Sequence, residues 1–137
     1  AIGEKLASPD RQVVSFSGDA GMLMVAGELQ PQLNWAGFYR LVGEELVLGP
    51  FFGRPACIRI PLVQGVCGTA AASGVTKLVQ DVHAFPGHIA CDSVTNSELV
   101  VPIFKNGMVI AVIDLDSPDL ARFDVEDAAG VEALARS

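Results

Sequence analysis

Three cysteines, Cys57, Cys67 and Cys91, are the residues of this 137-residue chain best suited to covalent chemistry. A thiolate is both a nucleophile and a metal ligand, and its reactivity follows from where the fold puts it. The spacing, C-x9-C-x23-C, matches no zinc ribbon and no paired disulfide framework. Three thiols therefore stand as buried filler, metal ligands or redox groups. Cys67, in GVCGTAAASG, sits at a candidate helix N-terminus, a position that lowers a thiol pKa. Cys91 lies in HAFPGHIACDSVTNS, flanked by Asp92 and near His83 and His88. Cys67, Cys91, His83 and His88 offer metal-ligand types, but no Cys-x-x-Cys or His-x-x-x-His pair supports a site. A Cys–His hydrolase lacks a nucleophile motif around any cysteine. A cysteine is also a common small buried hydrophobe, so residue type alone leaves the choice open.

Strand alternation sorts the remaining candidates. In NWAGFYRL, Trp35, Gly37, Tyr39 and Leu41 share one face. In MVIAVIDLDS, Asp114 and Asp116 share a face about 7 Å apart on a strand otherwise apolar on both sides. Two such carboxylates are costly to bury unless they have partners or a ligand, although aspartates also cap loops at sheet ends. Glu98 opens ELVVPIF, where a charge is either solvated or functional.

The elements that must hold these residues can be read in order. Apolar positions around residues 19–30 fit a helix, weakened by Gly21 and Gly27. NWAGFYRLV and LVLGPFF, joined at Gly43-Glu44-Glu45, read as a hairpin, and Cys57–Pro61 as a third strand. A short helix begins just after Cys67, with Gly68 or Thr69 as its N-cap and Gly74 as its stop. TKLVQDV, residues 76–82, is a fourth strand, and some fifteen residues of little regular signal follow it. A connection that long within a compact domain is usually functional. ELVVPIF and MVIAVIDLDS form a hairpin around Lys105-Asn106-Gly107, and a helix from Asp124 to about Ala135 comes last. The order predicts an α+β domain with helices packed on an antiparallel sheet.

Composition narrows the partners. At 50% hydrophobic and 18% charged residues, with mean hydropathy +0.42, the chain suits one packed core. A net charge of −7 and scattered Lys and Arg disfavour nucleic acid. No apolar run reaches the ~20 residues of a membrane span, and residues 1–30 lack a secretory signal pattern, so a cytoplasmic location is expected.

Taken together, NWAGFYRL, LVLGPFFGRPACIRIP, GVCGTAAASG, QDVHAFPGHIACDSVTNSELVVPI and GMVIAVIDLDSP resemble the free methionine-(R)-sulfoxide reductases, a catalytic branch of the GAF domains. The resemblance spans roughly residues 34–118. It implies a single GAF-type domain over residues 1–137, with a sheet core at 34–118, about six antiparallel strands, helices on one side, and a cavity closed by the long loop. It also implies thiol-dependent reduction of free L-methionine-(R)-sulfoxide, with Cys91 as nucleophile, Cys57 as resolving thiol and Cys67 as a third redox cysteine. Cys67 is a rival first attacker. Trp35 and Tyr39 take substrate-lining positions, Glu98 that of the proton donor, and Asp114 and Asp116 those that bind the ammonium group. The implied partners are thioredoxin, with NADPH behind it, and a second copy in a homodimer; no metal or organic cofactor is implied. A non-catalytic GAF domain, binding a small ligand or sensing redox state, is the alternative on the same fold.

Overall fold

The computed structural model describes residues 14–16, 23–25, 33–54 and 57–136. Two short strands, β1 (Val14–Phe16) and β2 (Leu23–Val25), pair antiparallel with each other. The helix expected over 19–30 is thus replaced by strand at 23–25, and its other positions lie outside the described residues. Gly21 and Gly27 each cost a helix interior about 1 kcal/mol relative to alanine, which removes the local preference for a helix there.

The main sheet has six strands, all antiparallel, in the order β5-β4-β3-β8-β7-β6. They are β3 (Trp35–Val42), β4 (Glu45–Gly53), β5 (Arg59–Pro61), β6 (Lys77–Val79), β7 (Ser97–Lys105) and β8 (Met108–Ser117). Both expected hairpins form. The β7–β8 turn puts Asn106 and Gly107 at φ 55° and 79°, and two successive positive φ values suit the tight hairpin turn that an Asn-Gly pair favours.

Helix α1 (Gly65–Ser73) and helix α2 (Val125–Arg136) pack on opposite faces of this sheet. The expectation of helices on one side is corrected, and strand alternation supplies the reason. Ala36, Leu99, Val101, Ile113 and Leu115 cluster with Phe123, Ala128, Val131 and Leu134 under α2. Trp35, Tyr39, Val100 and Val112 point the other way, to Val66, Cys67, Ala70 and Ala71 of α1. Each face is apolar enough to need its own cover.

Helix α1 also starts earlier than expected. Its N-cap is Gln64, in an extended conformation, so Cys67 is the third helical residue. Gly68 is needed inside the helix instead: a β-carbon there would lie 2.6 Å from the Pro61 carbonyl oxygen. Gly74 does end the helix in a left-handed conformation, donating its N–H to the Ala70 carbonyl. At the other end of the chain, Asp124 and Asp127 cap α2 reciprocally, each backbone N–H donating to the other's carboxylate at 2.9 Å. No helix among the described residues is long and apolar enough to cross a membrane.

Candidate active site

Strand register assembles the site. Asp116 on β8 lies between Trp35 on β3 and Glu98 on β7, and Asp114 lies one pleat along, between Gly37 and Val100. Because all three strands are central, the side chains of this row have no path to solvent except over the α1 face. Glu98, Asp114 and Asp116 are each at least nine-tenths buried. Alternation within one strand gave the aspartate pair; the register across strands adds Glu98 and Trp35 to it.

The aromatic wall is stacked and tethered. The Trp35 ring lies 5.7 Å from that of Tyr39 and 5.8 Å from that of Phe51, both near parallel. Its Nε1 donates to the Arg54 carbonyl at 3.1 Å, and the Tyr39 hydroxyl donates to the Cys57 carbonyl at 2.8 Å. Gly37 makes room for the stack, since a β-carbon there would sit 2.7 Å from the indole.

The long loop closes over this floor. A short 3-10 turn, Val82–Ala84, starts it, and Val82 donates to the Asn96 carbonyl at 2.9 Å, tying the two ends of the loop together. Asn34 donates to Thr95 Oγ1 at 2.9 Å and to Asp92 Oδ2 at 3.2 Å, and Arg54 lies 3.6 Å from Asp92. Gly65 N–H donates to the Gly87 carbonyl, joining the loop to the start of α1. Cys91 and Cys57, 34 residues apart, are joined as a disulfide, while Cys67 is free and buried. Bonding to Cys57 removes Cys91 from any metal site with Cys67, His83 and His88.

The result is a cavity of about 430 Å³, its open mouth included. Every substrate-lining or acidic residue expected from the sequence contributes to its wall: Trp35, Tyr39, Glu98, Asp114 and Asp116. So do Cys67 and Cys91, whereas Cys57 packs just outside, behind the disulfide. Gln64, His88, Asp92 and Thr95 complete the polar lining and were missed as site residues. The GHIACD string placed His88 and Asp92 beside Cys91, but nothing local marked Gln64 or Thr95.

The electrostatics are one-sided. Burial, then the Asp114 and Asp116 charges, raises the Glu98 carboxyl well above its ordinary range. Burial and Asp114 do the same to Asp116. Asp114 is raised too by burial, but hydrogen bonds from Glu98, Cys67 and Asp116 oppose the rise, so it is the acid of the three best placed to carry the negative charge. Cys67 is also pushed up, first by burial and then by Asp114 and Glu98, with its Sγ 3.8 Å from Glu98 Oε2. This reverses the expectation of a lowered pKa from a helix terminus: three acids and full burial outweigh the dipole. Among the described residues, one oxygen each of Asp114 and Asp116 is buried without a hydrogen-bond partner, and no Lys or Arg lines the cavity. Such a cavity is shaped to accept a positively charged group beside an apolar one.

Comparison with known proteins agrees. The GAF domain model matches residues 13–137. The free methionine-R-sulfoxide reductase of Escherichia coli is 51% identical over 102 residues, covering 74% of this chain and 62% of its own length. Among solved structures, that of free methionine-R-sulfoxide reductase from Neisseria meningitidis in complex with its substrate is 51% identical, with TM-score 0.74. It covers 75% of this chain and 63% of its own. The reduced form of fRMsr from Staphylococcus aureus is 54% identical, with TM-score 0.74, covering 76% of this chain and 68% of its own. The chain thus spans somewhat under two thirds of the E. coli and N. meningitidis relatives. With a shared fold over about three quarters of the chain and about half of the aligned residues identical to these enzymes, the chain belongs to the GAF-domain family, in its free methionine-R-sulfoxide reductase branch.

Proposed function

We propose that this chain reduces free L-methionine-(R)-sulfoxide to methionine, with Cys91 as the attacking thiol and Cys57 as the resolving one. The observation that carries this reading is the Cys57–Cys91 disulfide at the wall of a cavity that pairs an indole with three buried acids. The substrate presents an ammonium group, a carboxylate and a methyl sulfoxide. Asp114 and Asp116, with their unpartnered oxygens, suit the ammonium group, whose charge draws Asp116 to release its proton. Trp35 offers an apolar face to the S-methyl group, and Tyr39 stacks beside it.

In the reaction, the Cys91 thiolate attacks the sulfoxide sulfur as its oxygen is protonated, and the new S–S bond and the S–O bond then break together as the hydroxyl passes to Cys91 Sγ. Glu98, kept protonated by burial, is the proton donor. The substrate sulfur gains two electrons and the Cys91 sulfur loses two, giving methionine and a Cys91 sulfenic acid. The Cys57 thiol, giving up its proton, then attacks that sulfenic acid; the hydroxyl leaves with a proton as water, and the disulfide forms. Thioredoxin, itself kept reduced through NADPH, supplies the two electrons and two protons that restore both thiols. Cys67 remains a thiol throughout, since burial and the neighbouring acids hold its proton. No metal or organic cofactor takes part.

The test is NADPH consumption with thioredoxin and thioredoxin reductase, using free R and S epimers and a peptide-bound sulfoxide. Turnover of the free R epimer is expected; its absence overturns the reading, and ligand binding without turnover favours the non-catalytic alternative. In single turnover without thioredoxin, Cys91→Ser abolishes the release of one equivalent of methionine, whereas Cys57→Ser and Cys67→Ser retain it. Release by Cys91→Ser with loss in Cys67→Ser reverses the two roles.

A further inference from the structure

The proposed reaction leaves one reactive group of the cavity without a task, the Cys67 thiol. One ligand atom from each of Cys67, Glu98 and Asp114 lies within 4.8 Å of the other two, and all three residues are buried. A second observation points to a positive occupant at the same place: Asp114 Oδ1 and the adjoining Asp116 Oδ1 are buried with no hydrogen-bond partner among the described residues. Among the described residues, no lysine or arginine lines the cavity to answer them. We propose that this cluster also binds a thiophilic divalent cation of the Zn²⁺ kind, through Cys67, Glu98 and Asp114, and that the bound ion excludes the substrate.

The donor set selects the ion class. One sulfur and two carboxylate oxygens, with a fourth position open to water or Asp116, suit a four-coordinate zinc site. Binding requires the three side chains to draw together from separations of up to 4.8 Å to bonding distance around one ion. Mg²⁺ and Ca²⁺ prefer six or more oxygen ligands, which two carboxylates beside a thiolate do not offer. Binding replaces the thiol proton by the metal and involves no electron transfer. The ion then occupies the place of the ammonium group, so the same three acids that make the cavity attractive to an amino acid also make it open to metal inhibition. The site itself rests on the cavity's atoms, and only the exclusion of substrate rests on the function proposed above.

The experiment uses the full chain with Cys57 and Cys91 oxidised, which leaves Cys67 as the chain's one free thiol. Cd²⁺ titration is expected to raise a cadmium–thiolate charge-transfer band that saturates at one equivalent, is displaced by Zn²⁺ and is unchanged by Mg²⁺. Cys67→Ser removes the band, and Glu98→Gln or Asp114→Asn each weakens Cd²⁺ binding by at least about tenfold. Without any substitution, Zn²⁺ also raises the Tm of the oxidised protein while Mg²⁺ does not. No band in the oxidised chain, a band that survives Cys67→Ser, or no Tm shift with Zn²⁺ overturns the site. Free methionine-(R)-sulfoxide is expected to lower Cd²⁺ occupancy; a band indifferent to it overturns the exclusion. A chain that takes up Cd²⁺ in this way yet turns over no sulfoxide keeps the metal site and loses the enzymatic reading.

Discussion

The two faces of the central sheet are made by the same strands and have opposite characters. Under α2, Ala36, Leu99, Val101, Ile113 and Leu115 meet Phe123, Ala128, Val131 and Leu134 in an apolar cluster that holds no carboxyl. One residue along each strand, on the α1 face, stand Trp35, Glu98, Val100, Asp114 and Asp116. Burying three carboxyls is costly, and α1 brings only small residues to cover them. The α2 layer supplies the stability that offsets that cost. The pleat thus separates stability from chemistry by a single residue step, and substitutions on adjacent positions should report on different properties.

Glu98→Gln and Leu99→Ala are the sharpest test of that separation. Loss of the proposed proton donor should lower kcat/KM by about 10²- to 10⁴-fold, the usual worth of general acid catalysis, while thermal stability is unchanged or raised because a buried acid is replaced by a neutral amide. Leu99→Ala should cost about 2–5 kcal/mol in urea unfolding, yet leave kcat of the folded fraction near wild type. A Glu98→Gln variant that is unstable but fully active would invert the comparison.

The same contrast governs pH dependence. Glu98, Asp114 and Asp116 are all raised above their ordinary values of 4.5, 3.8 and 3.8. The folded state therefore holds protons that the unfolded chain has released, and stability falls as pH rises through that interval. Their contribution is full below about 3.8 and is lost as pH passes each group's higher folded value. Urea unfolding from pH 4 upward should show a declining stability that Glu98→Gln flattens. Stability that climbs with pH over this range would show that the acids are ionised and paired in the folded chain.

Gly37 shows how far local sequence reached. Alternation in NWAGFYRL was enough to put Trp35, Gly37 and Tyr39 on one face, but not to show that the indole lies over the glycine. In Gly37→Ala the new β-carbon would be 2.6 Å from Phe51 Cβ, 2.7 Å from Trp35 Cη2 and 2.9 Å from the Pro50 carbonyl oxygen. The cost should be about 1–3 kcal/mol, with a raised KM as the indole is displaced. A stable variant with wild-type KM would show that the stack yields easily.

What local pattern could not supply is long-range. The hairpins and the aspartate pair follow from period-two alternation and an Asn-Gly turn, all within ten residues or so. The row Trp35–Asp116–Glu98 depends on the register of three strands, and the Cys57–Cys91 bond on a loop folding back over 34 positions. Family resemblance supplied those roles where spacing did not. The start of α1 was misplaced because its entry carries no side-chain cap: Gln64 makes no capping bond, and Val63 before it adopts φ 75°, which no local rule anticipates for a β-branched residue. The reversal of the Cys67 pKa has the same origin, since the acids responsible lie on strands remote in sequence.

The helix caps give the smallest and most specific contrast. On the α2 side, Asp124→Ala breaks a reciprocal cap and should cost about 1 kcal/mol without changing kcat/KM. On the α1 side the cap position is vacant of side-chain bonding and lines the cavity. Gln64→Asp, already extended at φ −102°, should bond the first-turn N–H groups and gain about 0.5–1 kcal/mol. The added carboxylate joins a cavity already lined by Glu98, Asp114 and Asp116, so an amino acid carrying its own carboxylate should bind more weakly, with KM raised severalfold and kcat held. A gain in stability without a change in KM would show that the start of α1 serves the fold alone and lies outside the site.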